Sequence, residues 1–188
     1  MIMTDKILNK LKIIGITLIP YILVLFISGS HLHAQPIMTV NGTDLKISSG
    51  ATVQINGKLD IEVDGTVDSE GSGVNVTDDV QLSGSLLIKD GNFTVGDGNE
   101  ASIIYQESNP SNLSLLGISG GELFVANAFR PLDNTKIVKF DQSGGLLKLG
   151  NESISTGTGF GLFEIFNSSS VFNMSGGTIE FLRDLADT

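Results

Sequence analysis

The feature that most constrains the fold is a ten-residue segment that the chain repeats. FDQSGGLLKL begins at Phe140, FNMSGGTIEF begins at Phe172, and a third relative, LGISGGELFV, begins at Leu116. The Ser-Gly-Gly triplets begin at Ser119, Ser143 and Ser175, so their spacings are 24 and then 32. Recurrence at this length predicts a repeat architecture, in which each copy packs against the next.

Apolar and polar residues alternate along the chain after Ala34, and no helical period occurs there. Such alternation predicts short strands that bury one face. Asx-Gly pairs, which tolerate the positive φ of sharp turns, separate the strands. The pairs at Asn56 and Asp64 lie eight positions apart and those at Asp90 and Asp97 lie seven apart, so each unit holds one strand and one turn. Because Asx-Gly is also a hairpin signal, an antiparallel β-sandwich is the alternative.

The repeat spacing favours a coil. Three units of about eight residues make one circuit of a three-sided coil, and the longer spacing is the same circuit with an insertion. Residues 150–161, GNESISTGTGFG, are the predicted insertion loop. Looser relatives, INGKLDI from Ile55 and LSGSLLI from Leu82, are offset by 27 and predict an earlier circuit. We predict an all-β fold, a parallel β-helix (β-solenoid) of about six irregular coils, over residues 35–188.

Stacked coils explain why the segment recurs. Equivalent positions of successive coils lie above one another and form an inward ladder that no single coil could bury. Two adjacent glycines in each copy are predicted to stack at a corner where a side chain does not fit. The predicted stacked positions are Phe140 with Phe172, Leu147 with Ile179, Leu149 with Phe181, and residues 144–145 with residues 176–177.

In these segments the chain resembles the right-handed parallel β-helices of secreted bacterial adhesins and autotransporter-passenger-like surface proteins. SGGELFV, SGGLLKL, FNMSGGTIEF and NGKLDIEVDGTV carry the resemblance, which covers residues 37–182. It implies an exported, elongated protein that presents ladders and loops to a partner on a surface. The coil lengths are irregular, and no C-terminal cap, translocator barrel or sorting domain follows FLRDLADT. The chain is therefore either a self-contained solenoid or the N-terminal part of a longer protein.

Residues 1–34 have the layout of a signal peptide. Three lysines precede the apolar run IIGITLIPYILVLFISG, and SHLHAQ places a small residue, Ala34, at a cleavage position. The alternative is a retained membrane anchor, although the run is short for a span and contains Pro20. We predict a signal peptide over residues 1–34, no membrane span in the mature chain, and a secreted or cell-surface location.

The composition after Ala34 excludes several classes of function. No Cys, His or Trp remains there, so disulfides and histidine-based catalysis or metal binding are not available. The segment after Ala34 contains eight of the 11 Lys/Arg residues and twenty of the 21 Asp/Glu residues, so its net charge is −12. An acidic surface repels nucleic acid, so we predict no nucleic-acid partner.

Acidic residues form the densest polar feature of the chain. They suggest calcium, which takes six to eight oxygen ligands, but no Asp-x-Asp-x-Asp-Gly loop is present. A solvated outer strand face is therefore the favoured explanation. The acidic residues are Asp60, Glu62, Asp64, Asp68, Glu70, Asp78 and Asp79.

A polysaccharide-active enzyme, either a lyase or a hydrolase, is the alternative function. A glycosidase needs two opposed carboxylates, and Asp78-Asp79, the adjacent pair, would point to opposite faces of a strand. A lyase needs a base near several carboxylates. Arg130 is the one mid-chain arginine, and an Arg-Pro turn with an ion pair to Asp133 accounts for it as well.

We expect an exported β-solenoid that acts as an adhesin-like structural and binding scaffold and not as an enzyme. Its expected partner is carbohydrate or another cell surface, engaged by the outward ladders or by the loops near Arg130 and residues 150–161. We predict no catalytic, cofactor-binding or metal-ligating residues and no cofactor.

Overall fold

The protein is described from a computed structural model, which places residues 36–96, 100–150 and 161–182. All of these residues belong to the second of two compact units, Ala34–Thr188. The predicted signal peptide and residues 151–160 of the predicted insertion lie outside the described residues. Within the described part of the chain, no helix is long and apolar enough to cross a membrane.

Fifteen strands occur in the described residues, and every pairing between them is parallel. They lie in three tracks, each of which takes one strand from successive turns of the chain. The first track is β1 (Ile37–Val40), β4 (Lys58–Ile61), β7 (Val80–Leu82), β10 (Ile103–Tyr105) and β13 (Phe129–Pro131). The second is β2 (Asp44–Ile47), β5 (Thr66–Ser69), β8 (Ser85–Ile88), β11 (Ser114–Ile118) and the first half of β14 (Val138–Leu149). The third is β3 (Thr52–Ile55), β6 (Ser72–Val76), β9 (Gly91–Val95), β12 (Glu122–Val125) and the second half of β14, and β15 (Val171–Phe181) pairs with β14.

This arrangement is the predicted parallel β-helix, and it excludes the antiparallel sandwich. Six coils are described: β1–β3, β4–β6, β7–β9, β10–β12, β13–β14, and a last coil that contains β15 and a parallel bridge from Phe163 to Phe129. The register confirms the repeat spacing, since Leu116 of β11 pairs with Phe140 of β14, and Phe140 pairs in turn with Phe172 of β15.

The looser repeat from Ile55 and Leu82 is wrong as a structural equivalence. Ile55 pairs with Val76, and Leu82 pairs with Ile61. The first residues of the two segments, Ile55 and Leu82, therefore do not pair with each other. INGKLDI crosses the corner between the third and first tracks, whereas LSGSLLI crosses the corner between the first and second. Both segments hold a strand, a turn and a strand, so their similarity reflects local structure and not stacking.

The predicted ladder of apolar side chains is present. Phe140 pairs with Phe172, Leu147 with Ile179 and Leu149 with Phe181. The Phe140 and Phe172 rings are stacked, with centroids 5.3 Å apart and planes inclined by 6°. Each coil thus continues the interior of the one before it.

Every second residue along the strands points inward, and most of these residues are apolar. Their side chains fill the interior of the coil. In KLDIEVDGTV, Leu59, Ile61 and Val67 are fully buried, as the alternation predicts, while Val63 lies at the corner between β4 and β5 and is half-buried. The corner residue Asp64 has a positive φ of 35°. Burial of apolar surface, worth about 25 cal/mol for each Å², makes this continuous interior the main source of stability. Inward residues with no exposure include Val80, Leu82, Leu86, Phe93, Ile103, Leu116, Leu123, Phe129, Phe140 and Leu147.

The Ser-Gly-Gly corners stack as predicted because backbone atoms occupy the space of a side chain. A Cβ on Gly145, whose φ is +67°, would lie 2.6 Å from the carbonyl oxygen of Gly120 in the coil below. A Cβ on Gly177, with a φ of +81°, would meet the carbonyl of Gly144 and would lie 2.6 Å from Nε2 of Gln142. Only glycine combines this backbone conformation with so close an approach.

Candidate functional site

A groove lies on the outer face of the second track. It has a volume of about 210 Å³ and is open to solvent. We call it the outer groove. It is lined by Leu87, Ile88, Lys89, Leu115, Gly117, Ile118, Ser119, Lys139, Asp141 and Ser143.

The groove exists because a glycine interrupts an outward column of side chains. Strand alternation sends Leu86 and Leu116 inward, so Leu87 and Gly117 face outward. The register places Gly117 between Leu87 on β8 and Asp141 on β14. Since Gly117 has no side chain, the surface is depressed there, and Cδ2 of Leu87 lies 2.9 Å from where a Cβ of Gly117 would be.

Apolar side chains form the floor of the outer groove. Leu87 and Leu115 are both half-buried on the outer face. The sequences SLLI and SLLGI each contain two adjacent leucines. Because consecutive residues on a strand point to opposite faces, one leucine of each pair must face outward. The doubled leucines were therefore a signal in the sequence for apolar surface outside the solenoid, and the predictions from sequence missed it.

Charged and hydroxyl groups form the rim. Nζ of Lys89 lies 2.7 Å from Asp68 and 3.2 Å from Glu70. These hydrogen bonds, first that to Asp68 and then that to Glu70, raise the pKa of Lys89 above its ordinary value. On the other side, Nζ of Lys139 lies 3.5 Å from Oδ2 of Asp141.

The rim keeps hydrogen-bonding capacity despite these ion pairs. Each lysine ammonium has three donors, and the side chains of Lys89 and Lys139 are both 43% exposed. Asp141 also accepts a 3.1 Å hydrogen bond from Nδ2 of Asn173. The exposed residues Ser119 and Ser143 add hydroxyls, which both donate and accept.

The acidic residues predicted from the sequence are distributed over two tracks and over all three corners of the coil. Asp60 lies on β4 of the first track, whereas Asp68 lies on β5 of the second. Burial, and then the nearby Glu62, raise the pKa of Asp60, whereas hydrogen bonds from Lys46 and Lys89 lower the pKa of Glu70. Among residues 36–96, 100–150 and 161–182, no group of three or more acidic, His or Cys side chains could hold a metal ion.

Asp78 and Asp79 lie at a corner before β7, and not on a strand as the sequence interpretation assumed. Oδ1 of Asp78 accepts a 2.8 Å hydrogen bond from the backbone N–H of Asp79. Oδ1 of Asp79 accepts a 2.8 Å hydrogen bond from the N–H of Ser102 in the next coil. Both carboxylates therefore bind backbone groups of the scaffold.

Arg130 lies within a strand, so the predicted Arg-Pro turn is wrong. Pro131 is the last residue of β13 and pairs with Tyr105. Asp133 accepts hydrogen bonds from the N–H and Oγ1 of Thr135, at 2.9 and 2.6 Å, which lower its pKa. It also lies 3.8 Å from Nζ of Lys136. The second predicted loop, residues 150–161, lies almost entirely outside the described residues.

Comparisons with known proteins find no match for this chain: no family model, no curated protein and no solved structure matches it significantly.

Proposed function

We propose that the protein is an exported β-solenoid that acts as an adhesin-like binding scaffold and holds a carbohydrate chain in the outer groove. The observation that carries the proposal is the groove itself, where an apolar floor at Leu87 and Leu115 adjoins ammonium, carboxylate and hydroxyl groups. A sugar ring presents apolar C–H faces and polar hydroxyls, which such a floor and rim accommodate together.

The size of the groove favours a polymer over a small molecule. Pockets that enclose a whole drug-sized ligand have volumes of roughly 300–1,000 Å³, whereas the outer groove has about 210 Å³ and is open. One sugar unit would occupy it while the rest of the chain crosses the solenoid. The acidic surface favours a glycan without strong negative charge, because like charges repel.

The binding test uses the protein as it is exported. Its affinity is measured by calorimetry for hexasaccharides of neutral β-glucan, xylan and chitin, with polygalacturonate as the anionic comparison. Gly117→Leu adds a side chain to the groove from an outward strand position where φ is not positive, and its Cβ would displace the flexible end of Leu87, whose Cδ2 lies 2.9 Å away. We expect this variant to weaken glycan binding at least about tenfold, or roughly 1.4 kcal/mol.

Gly73→Leu is the matched control. Gly73 also faces outward from a strand, on β6 of the third track, and nothing but Oγ1 of Thr52, at 4.0 Å, lies near its missing Cβ. It should bind glycans like the wild type. Equal weakening in both variants, or no glycan binding in any of them, would refute the proposed site. Release of new reducing ends from a bound glycan would favour the enzyme alternative.

The export proposal is tested separately. An antibody against the mature chain locates the native product, and its intact mass gives the N-terminus. Cleavage near Ala34 and removal from the cell surface by protease are expected, and a cytoplasmic product that retains its N-terminus would contradict export. A product much heavier than this chain would identify it as one segment of a longer stalk.

A further inference from the structure

The last coil exposes an apolar edge. Phe172, Met174 and Phe181 are at inward positions of β15, but they are 53%, 40% and 55% exposed. Among the described residues, β15 pairs with β14 and with no other strand. We call its other side the open edge. Unpaired N–H and C=O groups on such an edge pair readily with a further strand.

The coil at the opposite end carries apolar residues in the same columns as the open edge, with Ile47 and Ile55 only 3% and 7% exposed and Leu45 and Val53 half-buried. β2 and β3 carry Leu45, Ile47, Val53 and Ile55 at the inward positions that β15 fills with Phe172, Met174, Ile179 and Phe181. Placed on β15 in parallel, β2 and β3 would continue all four interior columns. On the first track, Met38 of β1 would follow Phe163 in the same way.

The corner between the second and third tracks is one residue longer in the first coil than in the last coil. The structure already stacks two corners that differ in length by one residue. Val53 is the sixth position after Ile47, whereas Ile179 is the fifth after Met174. Ile47 pairs with Ser69 and Val53 pairs with Val74, so the longer corner of the first coil is already stacked on a shorter one. The Gly50 N–H donates a 3.0 Å hydrogen bond to the carbonyl of Gly71 across that corner.

The outer-face charges also suit stacking of the two ends. The strands of the first coil carry one acid and one base, Asp44 and Lys46, while the acidic residues of the chain are concentrated in the coils that follow. The continued register would place Lys46 beside Asn173 and Gln54 beside Glu180. Between the paired positions of β2, β3 and β15, no acid would face another acid, and both new pairs would be able to form hydrogen bonds.

We propose that the open edge binds the first coil of a second copy of this chain, with strands parallel and molecules head to tail. The two surfaces are different, so the contact is heterologous and leaves one end of each molecule available. Such contacts produce open linear assemblies and not closed dimers. The outer groove would then recur along the assembly, although neither proposal depends on the other.

Sedimentation of the exported protein over about 1–100 µM, the range of weak specific contacts, tests the proposal. The mass should rise continuously with concentration, and electron microscopy should show linear chains of molecules. A monomer throughout the range, or a dimer that does not grow further, would overturn the proposal.

Charge variants identify the surfaces. Asn173→Lys should weaken association about tenfold, because the introduced lysine would face Lys46 of the next molecule. Adding Lys46→Glu to the same chain should restore association by making the facing charges opposite. Asn92→Lys, an exposed residue of the third coil, changes the net charge equally and should leave association unchanged. Equal weakening by Asn92→Lys and Asn173→Lys, or no rescue, would overturn the assignment.

Discussion

The fifth and sixth coils contain related ten-residue segments, in β14 and β15, with the same Phe and Ser-Gly-Gly positions, but the two copies have different environments. Phe140 and Leu149 of β14 have no exposure, whereas Phe172 and Phe181, their partners in β15, are more than half exposed. The side chains point the same way in both strands. The difference lies in the neighbours, since β14 lies between β11, β12 and β15, whereas β15 has one described partner.

In a solenoid, therefore, sequence pattern sets the direction of a side chain and stacking sets its burial. An inward residue gains its full stabilisation only when coils lie on both sides of it. The aromatic residues show this well: Phe140 packs against Phe163, Phe129 and Phe172 at centroid distances of 5.2, 6.1 and 5.3 Å.

The largest expected effect comes from truncating the two phenylalanines. Phe140→Ala should lower the free energy of unfolding by about 3–5 kcal/mol, because it leaves a cavity in a packed interior. Phe172→Ala should cost about 1 kcal/mol, since half of this ring is already in water. Urea denaturation at low protein concentration, with the m-value as a check on two-state behaviour, measures both. Equal losses would mean that something covers the open edge.

Glycine substitutions extend the comparison to the corners. Gly145 and Gly42 both have positive φ, +67° and +59°, so alanine at either position incurs a backbone cost of about 1–2 kcal/mol. Only at Gly145 would the new Cβ also meet backbone atoms of the coil below, whereas Gly42 has nothing within 4 Å. Gly145→Ala should therefore destabilise by about 3 kcal/mol or more. If the two variants melt at the same temperature, the corners are less tightly stacked than the structure indicates.

The sequence predicted the stacking of the Ser-Gly-Gly coils because a long shared segment fixes the register at many positions at once. It failed for Ile55 and Leu82, since any strand–turn–strand segment resembles any other and does not show which corner of the coil it occupies. The predicted turn at Arg130 failed for a similar reason. Pro131 occupies the end of a short strand, where one missing N–H is tolerated.

The interior also holds a residue that alternation alone would have made apolar. Gln142 lies inward, in the same column as Ile88 and Ile118, and is fully buried. Its Nε2 donates a 3.1 Å hydrogen bond to the carbonyl of Thr178, across the irregular pairing of β14 with β15. A buried amide is costly without such partners, and this one comes from a different coil, whereas Oε1 of Gln142 is buried with no hydrogen-bond partner among the described residues.

The outer groove was the least predictable feature of the chain. Leu87, Gly117 and Asp141 are adjacent only through the pairing of strands from three successive coils. The doubled leucines indicate that some apolar side chains face outward. They do not indicate which outward column contains a glycine, and that position creates the groove.

The smallest expected effect concerns the outer face of the second coil, where burial and adjacent charged side chains shift the pKa values of two carboxyl groups in opposite directions. The pKa of Asp60 is raised by burial and by Glu62, whereas the pKa of Glu70 is lowered by Lys46 and Lys89 of adjacent coils. A carboxyl whose pKa is higher in the folded state than its ordinary value of 3.8 binds more protons when folded. Stability from this group therefore falls as pH rises through that range, and the loss persists at neutral pH.

Asp60→Asn should accordingly stabilise the protein slightly at pH 7, within about 0.5 kcal/mol, because the amide is never charged. At about pH 3, where both forms are largely neutral, the gain should disappear. Thermal melting of wild type and variant at the two pH values measures the difference. Asp44→Asn, at an exposed position of the first coil, controls for the change in net charge. A gain that is equal at both pH values, or that Asp44→Asn reproduces, would show that burial beside Glu62 is not its cause.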